Sequence, residues 1–425
     1  MAMTTPASVS SQEFLWLLTL LRTQTKQQDV GFCRMLTPAE WEGIIQLAYK
    51  LQVGALLYHR VLALTLQETI PLALLQKLQA LHLQVAVQNL RNYAELTLIA
   101  KRFADLGVPI ILLKGAHLAH FVYDSMALRP MSDVDILVQE KDLTTISEQL
   151  QQFGFQLLST NFRHQHWEKP GALHIEVHWT LTRPDYYFHI DIGDWWLRAV
   201  PAVLRQTPVL TFCPEDLLLH LCMHAAYHHL FELSFRFVCD ITWVIEHFQT
   251  EFDWAAFVER TNKLGLQRGI YMTLLLAQEW LHAPIPPAVL AALASYAPSP
   301  YLFDQIKSLL VYPEQLVHAK ELSINMSEAI YSGSHWQRTK ILLNRLFPSP
   351  KELALIHGIP YSPWRIYFYY PMRLKYLWAH YAPVAWRLWQ GEAPLRNIAQ
   401  FQNALLNWFQ QADTRQLSPP SSPPG

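Results

Sequence analysis

The stretch RPMSDVDILV, residues 129–138, sets two aspartates, Asp133 and Asp135, one residue apart inside a run of strand formers. A strand alternates faces with a period of two, so both carboxylates project from one side. Like charges so placed raise each other's pKa unless a cation or basic group lies between them. The pair is either a polar turn entering a strand or a divalent-metal site. A third carboxylate, Glu176, stands in the apolar run HIEVHW, where an unpaired charge is costly to bury. If HIEVHW pairs beside VDILV, the three carboxylates face one point. Such a triad suits Mg²⁺, which takes a few carboxylates together with substrate phosphates. Two such ions can align an attacking and a leaving oxygen for in-line displacement at phosphorus.

Phosphate-binding groups stand upstream. LLKGAH turns from an apolar run through Gly115 into a helix, whose first backbone N–H groups are free to take an anion. Lys114 adds a positive charge, and Arg129 and Ser132, just before the aspartates, are placed to contact phosphate oxygens. His174 and His178 flank Glu176 with period two and share its face. Imidazole, carboxylate, imidazole is a transition-metal donor pattern, although packed or substrate-contacting rings produce the same spacing. His220, His224 and His228 recur every four residues on one helix face, without the glutamate of H-E-x-x-H and without an adjacent His-Asp. They read as hydrogen-bonded rings lining an interhelical cleft, with His224 and His228 as candidate contacts to base, ribose or acceptor.

The scaffold for these residues reads as α+β. Residues 11–84 carry helical periodicity, and a longer helix, VAVQNLRNYAELTLIAKRFADLG, is closed by Gly107. Over 85–205, VPIILLK, VDILV, FQLLST, FRHQHWE and ALHIEVHWTL read as strands. Two helices separate the first three, and Lys169-Pro170-Gly171 supplies a hairpin turn. This small mixed-sheet core is embedded in predominantly helical N- and C-terminal regions. Helices return over 213–300. Residues 301–414 form a Pro-interrupted helical region rich in Trp, Tyr and Arg, and 415–425 read as a disordered tail.

Composition narrows the function classes. Charged residues are 16% and hydrophobic residues 51%, so the chain can bury large cores and still keep an apolar aromatic surface for a partner protein. Net charge is −1, from 33 basic and 34 acidic residues, which makes nucleic acid an unlikely partner. Four cysteines lack zinc-site spacing and read as reduced, buried thiols of a cytoplasmic protein. FLWLLTLL has no basic segment before it, so it is not a signal peptide. The uncharged run 280–303 is broken by Pro284, Pro286, Pro287, Pro298 and Pro300, leaving no transmembrane segment. PWRIYFYYPMRLKYLWAHYAPVAWRLW could be a membrane-surface element or a single-strand nucleic-acid surface, but reads first as a helical core rimmed by arginines.

LKGAHLAHFVYDSMALRPMSDVDILV, followed by HIEVHW and then LLLHLCMHAAYHH, resembles an uncharacterised bacterial nucleotidyltransferase family of biosynthetic gene clusters. That family lies within the polymerase-β-type nucleotidyltransferase superfamily. The resemblance implies that Asp133 and Asp135 bind Mg²⁺ or Mn²⁺, and that Glu176 completes the site and helps to activate the acceptor. It also implies that Lys114 and Gly115 border the triphosphate. The implied reaction moves an NMP from an NTP to an acceptor hydroxyl of a small molecule or peptide product, with pyrophosphate release. Ala116 stands where the superfamily has Gly or Ser, and Glu176 replaces the commoner Asp. The alternatives are a non-catalytic nucleotide-binding or scaffold protein of a biosynthetic complex, or a toxin-like transferase that modifies proteins.

Overall fold

The structure is a computed structural model that describes residues 12–411, apart from residue 172, residues 183–187 and most of residues 313–363. Its sheet has seven strands: β1 (Ile111–Leu112), β2 (Val134–Leu137), β3 (Gln156–Thr160), β4 (His164–Glu168), β5 (His174–His178), β6 (Val200–Leu204) and β7 (Thr207–Thr211). They lie in the order β3-β4-β5-β2-β1-β7-β6. β2 runs parallel to β5 and antiparallel to β1, so the sheet is mixed and the fold is α+β.

Alternation gives this sheet two unlike faces. Val134 and Ile136 of β2, Ile175 and Val177 of β5 and Trp167 of β4 bury one face against α5 (Leu72–Asp105), α6 (Lys114–Phe121) and α7 (Leu143–Gln152). The intervening positions, Asp135, Glu176, His178 and His164, therefore point the other way. That face looks toward α9 (Pro214–Met223) and α10 (Arg236–His247).

The remaining described helices are α1 (Gln12–Leu21), α2 (Gln27–Cys33), α3 (Pro38–Lys50), α4 (Gly54–Ala63), α8 (Ile192–Leu197), α11 (Trp254–Leu264), α12 (Gln267–Leu281), α13 (Pro287–Leu293), α14 (Pro300–Val311), α15 (Tyr369–Trp389) and α16 (Ala393–Gln410). Helices before and after the sheet share one apolar core: Phe14 of α1 packs edge-on to Phe235 and Trp280, with ring centroids 5.8 and 5.3 Å away. Thr37 and Glu40 form a capping box at the start of α3, where Pro38 occupies the first turn.

Three elements differ from the sequence expectation. VPIILLK keeps only two strand residues because the helix already begins at Lys114, although Leu113 N still donates to Asp135 O at 3.0 Å. The boundary at 84/85 falls inside α5, a single helix of 34 residues, since no breaker interrupts LHLQVAV. The hairpin β6–β7 has no counterpart in the sequence reading. Pro201 and Pro208 argue against strands, and the turn places its positive φ, +57°, at Arg205 rather than at a glycine. Both prolines are tolerated because β6 is an edge strand and β1 reaches only Leu210 and Thr211 of β7.

Among the described residues no helix is long and apolar enough to cross a membrane. The four cysteines are unpaired; three are buried and Cys213 is half-buried. The aromatic C-terminal segment differs from an arginine-rimmed core: Trp364, Trp378, Trp386 and Trp389 are exposed, while Leu377 and Val384 are buried. Residues 415–425 lie outside the described residues.

Buried polar contacts lock the segment leading into β2. Asn89 Nδ2 of α5 donates to Met126 O and Arg129 O at 2.6 and 2.8 Å, and Asn92 Nδ2 donates to Met131 O at 3.2 Å. The Arg129 guanidinium donates through Nε and Nη2 to the two oxygens of Asp240 on α10, each at 3.1 Å. Tyr123 Oη donates to the same carboxylate at 2.9 Å. The two charged side chains are only 8% and 5% exposed, so removing one strands the other in a low-dielectric interior. Arg129→Met should therefore destabilise the fold by about 3–5 kcal/mol, measured as a shift in the urea unfolding midpoint.

Candidate active site

The site begins with register. β2 and β5 pair so that Asp135 lies directly beside Glu176, and on the next strand His164 lies beside His178. Asp133, just before β2, is half-buried and accepts from Ser132 Oγ at 2.9 Å. Asp135 is buried, and its Oδ1 takes both Lys114 Nζ at 2.6 Å and His178 Nε2 at 2.9 Å. His178 Nε2 also lies 3.2 Å from Glu176 Oε2. All three predicted carboxylates and Lys114 are thus brought together.

The carboxylates do not titrate alike. Burial would raise Asp135, but Lys114 and His178 beside it hold its carboxyl well below the usual range. Burial and the neighbouring Asp135 push Asp133 upward. Burial also opposes ionisation of Glu176, and the hydrogen bond from His178 overcomes it, leaving that group lowered. Asp133 is thus the carboxylate whose charge the neighbouring basic groups compensate least.

Lys114 occupies a strained junction. Its φ is +41°, in the left-handed region that non-glycine residues avoid, at the first residue of α6. At Gly115 a Cβ would lie 2.5 Å from Arg129 Nη1 and 3.2 Å from Met131 Cγ, so only glycine lets the turn pack against the Arg129–Asp240 pair. Ala116 is fully buried in the α5-facing core and does not line the cavity described next.

Opposite the sheet, α9 ends in a π-helical turn, His224–His228, and the chain then reverses through Leu230 and Phe231, with φ of +48° and +61°. Such π-turns recur at functional sites. This one brings His224 and His229 together, ring centroids 4.4 Å apart, at the wall of a cavity of about 260 Å³. Asp133, Asp135 and Glu176 line one side of it, and Lys114, Arg129 and Arg236 supply cationic groups around it.

Arg129, expected to contact phosphate, has its fork engaged by Asp240. Arg236, the first residue of α10, has no hydrogen bond or ion pair among the described residues. Burial and the nearby Arg129 lower its pKa, against the weaker opposing pull of Asp240 and Asp133. Ser132 and Gly115 line the cavity. His174 stands away from it, its ring 5.8 Å from that of His166, and His228 is not among the lining residues.

Sequence reasoning missed Arg236, His229, Asp240 and His164. His164 was visible in the alternation of FRHQHWE. His229 lies five residues after His224 and joins it only through a π-turn, and nothing local marks Arg236. The donor set of Asp133, Asp135 and Glu176, all oxygen and held by a sheet, fits a hard divalent ion such as Mg²⁺ or Mn²⁺.

A mixed-sheet core that sets paired carboxylates against a cationic helical wall is suited to chemistry on phosphates. The chain belongs to the family of uncharacterised nucleotidyltransferases: that family's sequence model matches residues 37–282, from the N-cap of α3 to the C-cap of α12. A solved structure of an antigenic nucleotidyltransferase-like protein from Paracoccidioides brasiliensis is similar at 17% identity, over 48% of this chain and 92% of its own. The TM-score of that similarity is 0.29. No curated protein matches the chain.

Buried histidines set an acid limit on the stability of the fold. Burial pushes His117 of α6 and His220 of α9 down to about 3. The folded state refuses protons that the unfolded chain accepts below about pH 6.5. Their contribution to stability is complete above that pH and is lost progressively as pH falls toward 3. The urea midpoint should drop across this range, with a shallower slope in His117→Asn; an equal slope would contradict the burial effect.

Proposed function

We propose that this chain transfers a nucleoside monophosphate from an NTP to an acceptor hydroxyl and releases pyrophosphate. The observation that carries this reading is the in-register pair Asp135–Glu176, with Lys114 bound to Asp135, lining one cavity together with Asp133 and Arg236. Carboxylates and cations lining one cavity suit a ligand that is itself a metal-bridged polyanion.

Asp133, Asp135 and Glu176 would hold Mg²⁺ or Mn²⁺, which when bound neutralises phosphate charge and polarises the phosphorus under attack. Arg236 and the first N–H groups of α6 and α10 grip the triphosphate, and Lys114 would exchange its Asp135 contact for phosphate once a metal takes that carboxylate. Arg129, engaged by Asp240, positions α10 rather than gripping phosphate itself. Ser132 steadies Asp133. Glu176 accepts the proton of the acceptor hydroxyl as its oxygen bonds to the α-phosphorus and the bond to pyrophosphate breaks. His224 and His229 contact the base or the acceptor, which we take to be a small molecule or peptide.

Pyrophosphate release from ATP, GTP, CTP and UTP, with Mg²⁺ or Mn²⁺ and a metabolite pool as acceptor source, tests this reading. Asp135→Asn should lower the rate by roughly 100- to 1,000-fold, the scale for losing one preorganised electrostatic contact. Rates equal to the intact protein's would sink it. Metal-dependent NTP binding without turnover would favour a nucleotide-binding or scaffold role instead. Arg236→Ala should weaken NTP binding by roughly 10- to 100-fold, the equivalent of about 1.5–3 kcal/mol for a charge-assisted hydrogen bond.

A further inference from the structure

The carboxylate site accounts for Glu176 but not for the two imidazoles beside it. His178 lies two residues beyond Glu176 on β5, and His164 on β4 is its registered partner, so all three side chains share the face of the sheet opposite α5 and α7. The His164 and His178 rings lie 4.7 Å apart between centroids. His178 Nε2 is 3.2 Å from Glu176 Oε2, and His164 Nε2 is 3.9 Å from Glu176 Oε1. One donor atom from each residue falls within 4.8 Å of the other two. A tetrahedral ion with bonds of about 2.0–2.1 Å sets its ligands about 3.3–3.4 Å apart, so side-chain rotation closes this set without moving a strand.

From this geometry we propose a transition-metal site held by His164, Glu176 and His178, with Asp135 available as a fourth ligand. This site shares Glu176 and Asp135 with the all-oxygen Mg²⁺ position and differs from it by its two imidazoles. Two imidazoles and a carboxylate suit Zn²⁺ and its neighbours in the first transition row, whereas Mg²⁺ takes oxygen and dehydrates reluctantly.

Three further observations agree. The His164 and His178 side chains are 13% and 7% exposed, which shields a bound ion from water. Asp135 Oδ1 and Glu176 Oε2 converge on the same His178 nitrogen, 2.9 and 3.2 Å away, where an ion would replace its proton. Asn161 anchors the approach to β4 by accepting from the backbone N–H of Arg163 and His164. Its Nδ2 lies 3.0 Å from His164 Nε2, and metal binding exchanges that contact for a metal bond. Neither histidine lines the cavity, so the ion would stand behind Glu176, along the cavity wall. The site does not depend on the nucleotidyl-transfer reading.

Co²⁺ titration of the chelator-treated full-length chain tests this directly, because cobalt bound by four or five N/O ligands absorbs in the visible. The expected result is one Co²⁺ per chain with such a spectrum, displaced by Zn²⁺ but not by a large excess of Mg²⁺, which has no preference for imidazole. His164→Ala and His178→Ala should each weaken binding by roughly 100-fold, the upper range for disturbing a metal site's surroundings. Asp133→Ala removes a carboxylate of the Mg²⁺ position but none of this donor set, and should keep the spectrum. Circular dichroism checks each variant's fold, and His164→Gln, which preserves bulk, replaces His164→Ala if that variant unfolds. Absence of the spectrum in the intact chain, its survival in both histidine variants, or its loss in Asp133→Ala would each overturn the proposal.

Discussion

The parallel pairing of β2 with β5 is the constraint on which the rest of the site depends. It forces Asp135 and Glu176 side by side on one face of the sheet, in an interior where two negative charges cannot stand uncompensated. Lys114 and His178 answer that charge at a single oxygen, Asp135 Oδ1. A slip of one residue in either strand would send its carboxylate into the apolar α5-facing core and bring a valine or isoleucine to the cavity. Register is therefore fixed by the same alternation that fills that core with Val134, Ile136, Ile175 and Val177.

The backbone around the cavity is strained where the surrounding structure can hold it. Lys114, Leu230 and Phe231 all adopt positive φ without being glycine, and the π-turn at His224–His228 departs from ordinary helix geometry. Each left-handed residue costs on the order of 1–3 kcal/mol and persists only when its neighbours over-determine it. Here Leu230 and Phe231 are fully buried in the large helical core, and Tyr93 of α5 pins the start of α6 by donating to Ala116 O at 2.9 Å. The Arg129–Asp240 pair then clamps the segment before β2 to α10, setting the distance between the carboxylate and cationic walls.

What was legible in the sequence follows local rules. Asp133 and Asp135 could be placed on one face because strand alternation has a period of two, whereas Glu176 joins them only because HIEVHW pairs beside VDILV, which the sequence could state only as a condition. The hairpin β6–β7 was hidden because its prolines and its glycine-free turn run against strand propensity, and only its place at the sheet edge tolerates them. Arg129 carries a charge that sequence assigns to phosphate, yet its partner Asp240 lies 111 residues away, beyond any local pattern. Arg236 gives no signal at all until the turn before it is folded.

The proposed function requires that the carboxylates and cations lining this cavity grip one metal-bound triphosphate. ³¹P relaxation of a non-hydrolysable NTP analogue, measured with Mn²⁺ and the full-length chain, tests it most directly, because a paramagnetic ion broadens only nuclei close to it. At Mn²⁺ levels where free nucleotide is little affected, the intact chain should broaden the phosphate resonances strongly, and Asp133→Ala/Asp135→Ala should not. Equal broadening with and without the two aspartates would contradict the account and leave RPMSDVDILV as a polar turn into a strand.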